Sequence, residues 1–279
     1  MDKNLNIDSE TVEDFGSEWN RFQQNIDSEE LKVIYENYFS LFPFQSLPEN
    51  SQGFDMGCGS GRWSVFVAPK VAKLYCVDPS EQALNVAKKN LKHLNNCIFV
   101  NESANTFPVQ ENSMDFGFSL GVLHHVPDTQ EALNFCISKL KQDAPFLLYL
   151  YYSFDNRGLF FKSIWLISNF IRKFISKLPF QLKKFITEIL ALFIYFPLAR
   201  ISLVMEFLGI RTNSIPLSYY RNKSLYTMRT DSLDRFGTRL ERRFSKSEIK
   251  LMMEKAGLER IKFSNSEPYW VALGYKSGK

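Results

Sequence analysis

The stretch Asp55-Met56-Gly57-Cys58-Gly59-Ser60-Gly61 closes a short apolar run that starts at Gly53 and opens onto Arg62–Val67, which reads as a helix. A strand-to-helix turn with glycines at alternate positions lets a ligand lie against bare backbone. The first amides of the following helix can face a polar ligand group. Asp78 directly follows the next apolar run, Lys73–Val77. An acid at that place can accept hydrogen bonds from both hydroxyls of a ribose. The alternative is a tight turn that binds nothing. A dinucleotide loop is the nearer rival, but it needs its third glycine one residue later, where Arg62 stands. Asp55, two residues before Gly57, better suits a cofactor that carries an amino acid.

Outward from this loop, short apolar runs alternate with helical patterns over residues 51–151. Strands are expected at Gly53–Met56, Lys73–Val77, Cys97–Val100, Met114–Leu120 and Pro145–Tyr151. Ser80–Leu94 places Ala83, Val86, Ala87 and Leu91 on one helical face, and Asp128–Lys141 does the same with Ala132, Leu133, Cys136 and Leu140. Asp128 reads as an N-cap. The alternation stops at residue 154. It resumes at Ser245-Lys246-Ser247-Glu248, which has the spacing of a capping box, with Gly257 as a helix stop. Two last strands are expected at Glu259–Phe263 and Tyr269–Tyr275. The fold class is therefore α/β: a Rossmann-like, doubly wound, seven-stranded sheet with its last strand antiparallel and an inserted helical cap. The division expected is 1–50 as an N-terminal helical lid, 51–153 as the core, 154–244 as the cap, and 245–279 as the last helix and strands of the core.

Residues 53–151 resemble the cofactor core of class I S-adenosylmethionine (SAM)-dependent methyltransferases, in the type 11-like subgroup whose fourth strand runs into a "gvLhHv.d" signature. Residues 55–61 match the first motif, Asp78 the ribose-binding acid, Asn112-Ser113-Met114-Asp115 the "nsfD" segment, and Leu120-Gly121-Val122-Leu123-His124-His125-Val126-Pro127-Asp128 the signature itself. The resemblance implies SAM as cofactor, S-adenosylhomocysteine as product, and Asp55, Gly57, Cys58, Gly59, Gly61, Asp78, Pro79, Ser103, Ala104 and Leu120 as cofactor-binding residues. Two positions depart from the pattern. Ser103 replaces the adenine-side Asp, and Gln142-Asp143-Ala144-Pro145 replaces the usual turn before the fifth strand.

Methyl transfer needs alignment of the nucleophile above all, and a base when that nucleophile is a hydroxyl or ammonium. His125 and His124, at the end of the fourth strand, are the catalytic candidates; the alternative is a histidine that only fixes the loop. A related subgroup of quinone-precursor methyltransferases has acidic metal ligands just before the equivalent histidine. Gly121, Val122 and Leu123 stand there instead, so no metal is expected. Similar segments to Phe15-Gly16-Ser17-Glu18-Trp19-Asn20-Arg21-Phe22 precede the core in some bacterial methyltransferases. It reads either as a lid laying Trp19 over the cofactor or as a helix packing Phe15, Trp19 and Phe22 on the sheet edge. Tyr220, Arg221 and Arg235 are candidates for binding an anionic or sugar-like substrate, against the alternative of a salt-bridged loop.

The insertion is unlike the rest. From Asn156 to Thr187 its charges are Arg157, Lys162, Arg172, Lys173, Lys177, Lys183 and Lys184, with no Asp or Glu. Leu159–Leu178 reads as a basic amphipathic helix with Phe160, Ile164, Ile167, Ile171, Phe174 and Ile175 on one face. Two uses are open: a cap that buries this face over the substrate cleft, or an interfacial patch through 157–208 that meets anionic lipid. No transmembrane span is expected, because the longest uncharged run, Ile189–Ala199, holds Pro197 and is followed by Arg200 and Glu206. A net charge of +4 gives no sign of a nucleic-acid partner. Cys58, Cys76, Cys97 and Cys136 form no CxxC pair, and the acidic, polar start is not that of a secretory signal. The expectation is a cytoplasmic enzyme, peripheral at the inner face of a membrane if the patch is used, that methylates oxygen or nitrogen of a small-molecule or lipid-linked acceptor. An RNA or protein methyltransferase, or a non-catalytic SAM-binding partner at a membrane, are the rival readings.

Overall fold

Short apolar runs joined by helical stretches can pair in parallel only through crossovers, and the computed structural model has this arrangement. It describes residues 6–21, 28–212 and 215–278. In chain order the elements are α1 (Ser9–Arg21), α2 (Ser28–Phe39), β1 (Gln52–Met56), α3 (Ser64–Val67), β2 (Lys73–Val77), α4 (Glu81–Asn90), β3 (Cys97–Val100), β4 (Phe116–Leu120), α5 (Thr129–Lys139), β5 (Pro145–Tyr149), α6 (Leu159–Ile175), α7 (Phe180–Leu190), α8 (Phe196–Phe207), α9 (Leu225–Gly237), α10 (Lys246–Lys255), β6 (Leu258–Phe263) and β7 (Ala272–Lys276). They fall into two compact units.

The first unit comprises Met1–Gln24, Lys32–Ser153 and Leu240–Lys279. Its sheet has seven strands in the order β3-β2-β1-β4-β5-β7-β6. β1 to β5 are parallel, while β7 runs antiparallel to both β5 and β6. β1 therefore sits between β2 and β4, and the chain leaves the sheet in opposite directions on either side of it. The crevice at that switch point is where open α/β sheets bind ligands. Local chemistry sets the helix starts. Asp128 accepts from the Glu131 amide, and Ser245 and Glu248 form both arms of a capping box. On one face of the sheet α5 and α10 bury Leu133, Cys136, Ile249 and Met253 against Phe54, Phe146 and Leu148. On Phe116 and Phe118 pack the rings of Phe42 and Phe39. Some strand bounds are shorter than the periodicity suggests. Met114 makes only an isolated bridge to Leu140, so β4 begins at Phe116. The helix expected from Arg62 begins at Ser64. Residues 240–244, assigned above to the insertion, belong to the first unit, where Phe244 bridges Tyr152.

The second unit comprises Asn25–Leu31 and Phe154–Arg239. α7, a π-helical turn (Ala191–Tyr195) and α8 run on as one helix from Phe180 to Phe207. Pro197 does not break it, because it lies in the first turn after the π segment. With 28 residues and a mean hydropathy of 1.8 over an 18-residue window, this helix is long and apolar enough to cross a membrane by length and composition. Length and composition alone thus do not argue against a span. α9 packs on α7 and α6, with Arg229 held by both carboxylate oxygens of Glu188 at 2.6 Å.

This unit's buried surface is polar where an ordinary core is apolar. Arg172 is 5% exposed and Lys183 2%, and Thr187, Ser202, Thr230 and Ser232 are also buried. The apolar core is small: Ile175, Tyr195, Ala199, Met228 and Phe236. Of the two uses left open for the α6 apolar face, burial does not hold for most of that face. Phe160, Ile167, Ile171 and Phe174 are exposed, and only Ile175 among those residues is buried. The side turned inward carries Arg172, whose guanidinium donates to the carbonyls of Thr238 and Arg239.

Gly53 and Gly117 stand on neighbouring strands opposite Phe116 and Phe54, so each ring lies over a glycine. A methyl on Gly53 would come 2.5 Å from the Phe116 ring, which is fully buried. Gly53→Ala is expected to destabilise the protein: overpacking of about 1–3 kcal/mol exceeds the roughly 0.5–1 kcal/mol gained by removing a strand glycine. Urea denaturation checks this; an unchanged or higher midpoint would contradict it.

Candidate active site

The loop after β1 is tied to the end of β2. The amides of Gly57 and Cys58 donate to the Val77 carbonyl at 2.7 and 3.0 Å, and the Gly59 amide donates to Asp78 Oδ2 at 2.9 Å. These three donors are thus used inside the protein, and this part of the loop offers a ligand bare backbone. Gly57 has φ +77°, and any side chain there would strike Val122. Gly59 has φ +54°, and a methyl there would lie 3.0 Å from the Trp19 indole nitrogen. Both positions need glycine for conformation and for room.

Two acids stand buried at neighbouring strand ends. Asp78 Oδ1 accepts from the Ser80 amide at 2.8 Å. Burial pushes its carboxyl up to about 6, the Ser80 and Gly59 amides opposing the shift. Each oxygen of a carboxylate can accept more than one hydrogen bond, so Asp78 keeps capacity for two vicinal hydroxyls. Asp55 accepts from the Ser64 hydroxyl at 2.7 Å. Burial raises it to about 7; the Ser64 bond lowers it and the nearby Asp78 charge adds to the rise. Glycine backbone beside a paired acid fits an adenosine-type cofactor with a ribose. Ser103 fits a direct adenine contact less well, because its amide and hydroxyl both meet the Thr106 hydroxyl at 3.1 Å. Ala104 is buried at the start of the following turn, Leu120 is buried as the last residue of β4, Cys58 is buried in the loop, and Pro79 is half-buried.

After β4, Leu123–His125 form a short 3-10 turn. His124 is fully buried, its ring 3.9 Å from those of both His125 and Tyr151. Burial holds its pKa well below the usual imidazole value, helped by His125 and Arg243. Neither of its ring nitrogens has a hydrogen-bond partner. His125 is 6% exposed and its Nδ1 lies 2.7 Å from the Leu240 carbonyl oxygen. A carbonyl only accepts, so Nδ1 carries the proton and Nε2 is the basic nitrogen. Arg243 lies over the Tyr151 ring, donates to Glu241 at 2.8 Å and to the Tyr152 carbonyl at 3.2 Å.

Residues 6–21 run as a strap across these loops. Asn6 accepts from the Asp128 amide and donates to the Asp128 carbonyl, at 2.8 and 2.7 Å. Phe15 sets its ring edge-on to His125 at 4.9 Å, and Trp19 lies against Gly59. The structure thus brings Trp19, the glycine loop, Asp78 and the histidine pair together. Phe22 lies outside the described residues. Sequence reasoning missed Asn6, Tyr151, Glu241 and Arg243, whose roles come from contacts between distant segments. The three substrate candidates are in the second unit, with partners there: Arg221 binds Glu206 at 2.8 Å and the Ser218 carbonyl at 3.0 Å, Arg235 meets the Ser168 hydroxyl at 3.3 Å, and Tyr220 bonds Asp231. Among the described residues no cluster of three or more His, Cys, Asp or Glu is placed to hold a metal.

Asp55 gives a pH signature. Its folded pKa, about 7, exceeds the ordinary 3.8, so the folded chain keeps a proton that the unfolded chain has lost between those values. Stability from this group is full below the lower value and falls as pH rises to the upper one. Asp55→Asn keeps an acceptor for Ser64 and removes the charge. Its stability advantage over wild type should grow from pH 4 to pH 7 and then level off, reaching at least about 1.4 kcal/mol, one pKa unit. A pH-independent difference in urea titrations would contradict the buried-charge account.

A family model described as "Methyltransferase domain" matches residues 54–148. A demethylmenaquinone methyltransferase of Staphylococcus haemolyticus is 28% identical over 127 residues, covering 43% of this chain and 51% of the relative. The chain thus spans about half the length of that curated relative. Among solved structures, a chain of the Haloferax volcanii complex that contains the Trm112 methyltransferase activator has a TM-score of 0.51 at 11% identity, over 94% of this chain and 97% of that one. Phosphoethanolamine N-methyltransferase 2 of Haemonchus contortus, solved with phosphomonomethylethanolamine and S-adenosylhomocysteine, has a TM-score of 0.49 at 15% identity, over 92% and 44%. Residues 54–148, with the glycine loop, the acid after β2 and the histidines after β4, form a class I SAM-dependent methyltransferase domain.

Proposed function

We propose that this chain transfers the methyl group of SAM to oxygen or nitrogen of a small-molecule or lipid-linked acceptor. The observation that carries the reading is the convergence of the bare-backbone loop 57–61, the Asp78 carboxylate and the His125 imidazole under one strap. SAM supplies a methyl already activated by a sulfonium. The loop backbone and Asp78 hold and orient the nucleoside part, and Trp19 covers the loop and excludes water. His125 Nε2 takes the proton of the acceptor, while the Leu240 carbonyl holds the ring in the tautomer that leaves Nε2 basic. His124, buried and neutral, packs between His125 and Tyr151 and positions them. The S. haemolyticus relative acts by name on demethylmenaquinone, which supports a small molecule over RNA or protein as acceptor. The apolar exterior of the second unit supports a lipid-linked one.

Calorimetric titration with S-adenosylhomocysteine tests the cofactor site. Asp78→Ala should weaken binding at least tenfold, about 1.4 kcal/mol. Wild-type affinity should fall as pH drops through about 6, where Asp78 gains a proton and loses acceptor capacity. No binding by folded wild type, or binding indifferent to Asp78→Ala, would refute the assignment. With an acceptor that turns over, His125→Asn should lower kcat by a factor on the order of 10² to 10⁴ and leave S-adenosylhomocysteine affinity within twofold. A kcat unchanged by that substitution would remove His125 from the proton path.

A further inference from the structure

The second unit has its polarity reversed. Along the 180–207 helix, the residues facing inward at four-residue steps are Lys183, Thr187, Ala191, Tyr195 and Ala199, with Ser202 beyond them, all buried. Facing out are Phe185 at 63% exposure, Phe193 at 72% and Phe207 at 90%. α6 repeats the pattern: Phe160, Ile167, Phe170 and Phe174 lie outward while Arg172 and Ser176 are buried. Water-facing helices have the opposite arrangement, and monomeric soluble proteins rarely expose so continuous an apolar surface. Charge completes the picture. Lys173 and Lys177 are exposed along one flank of the α6 apolar arc, with Lys162 about three turns earlier on the same flank, and no acid occurs between Asn156 and Thr187. A lysine-flanked apolar arc matches a surface that is apolar inside and anionic at its rim.

We propose that the outward faces of α6 and of the 180–207 helix form a monotopic docking surface for an anionic lipid bilayer, with both helices in the plane of the interface and the flanking lysines among the headgroups. An in-plane pose follows from where the charges lie. Lys183, Lys184 and Glu188 lie in the first third of the long helix and Arg200 and Glu206 in its last third, on either side of the uncharged run 189–199. A span would carry the Arg229–Glu188 pair toward the hydrocarbon midplane, where ionised groups are costly. In the plane, Lys184, Glu188, Arg200 and Glu206, none of them buried, stay within reach of water or headgroups, Lys183 remains inside the unit, and the phenylalanines enter the acyl region. The inference does not rest on the proposed methyl transfer.

Vesicle flotation of the full chain tests it without any activity readout. Wild type should float with phosphatidylcholine vesicles containing phosphatidylglycerol, and bind at least tenfold less to phosphatidylcholine alone or at high salt. Phe170→Glu with Phe193→Glu, both at exposed positions, should reduce partition at least tenfold while leaving S-adenosylhomocysteine binding and the melting transition unchanged. Lys173→Glu with Lys177→Glu should remove the preference for anionic lipid. Absence of flotation by folded wild type would overturn the proposal, as would equal binding by the Phe variant. A stable dimer that hides this face and ignores vesicles would assign the surface to a second copy instead. Protease cleavage of the 176–212 segment from both sides of the vesicle would show a span and overturn the in-plane pose.

Discussion

Two carboxylates at the ends of adjacent parallel strands are a standing cost in the first unit. Asp55 and Asp78 are both buried, and burial raises both pKa values toward neutrality. A buried charge is tolerated only when hydrogen bonds replace lost water. Here the replacement comes from the Ser64 hydroxyl and the Gly59 and Ser80 amides. One of the three also ties down the cofactor loop: the Gly59 bond holds the loop against the end of β2, where Gly57 and Gly59 have positive φ. Electrostatic strain and ligand-shaped backbone are therefore one arrangement, consistent with perturbed carboxylates gathering at functional sites.

Much of this unit was legible from local pattern. β2 and β3 have the bounds their apolar runs suggest, and the caps at Asp128 and Ser245 form as their spacing implies. Local pattern fails where a residue's partner is far along the chain. Asn6 meets Asp128, and Leu240 orients His125; no periodicity signals either contact. The same is true of Tyr151, assigned to a strand that ends at Tyr149 and instead packed on His124. Arg221 and Arg235 illustrate the converse. Their clustering with aromatic and acidic residues was visible, but crowding alone does not separate a ligand site from a set of internal pairs.

The insertion shows a different limit. Its helical period and basic charge are plain in the sequence, yet amphipathicity has no sign of its own: it says that a helix has two unlike faces, and the surrounding medium decides which one turns inward. Assuming water outside gives a cap with buried phenylalanines. The structure has the reverse, with Arg172 and Lys183 inside. An apolar medium is the environment in which that choice is favourable, and it is also where a lipid-linked acceptor would be met.

The π-helical turn at Ala191–Tyr195 bears on how this long helix tolerates length changes. Its wider turn holds the inward stripe in line across the junction, because Ala191, Tyr195 and Ala199 are all buried despite four-residue steps that drift in a pure α-helix. Deleting one residue there would turn the wide turn into an ordinary one with little rotation downstream, because the roughly 100° taken away with the residue is about what the extra residue of a π turn takes up. Inserting a further residue has no such compensation: it would turn the residues after it by roughly 100° and move Ser202 out of its buried place. The second half of the helix is thus far more sensitive to a gain of one residue in 191–195 than to a loss.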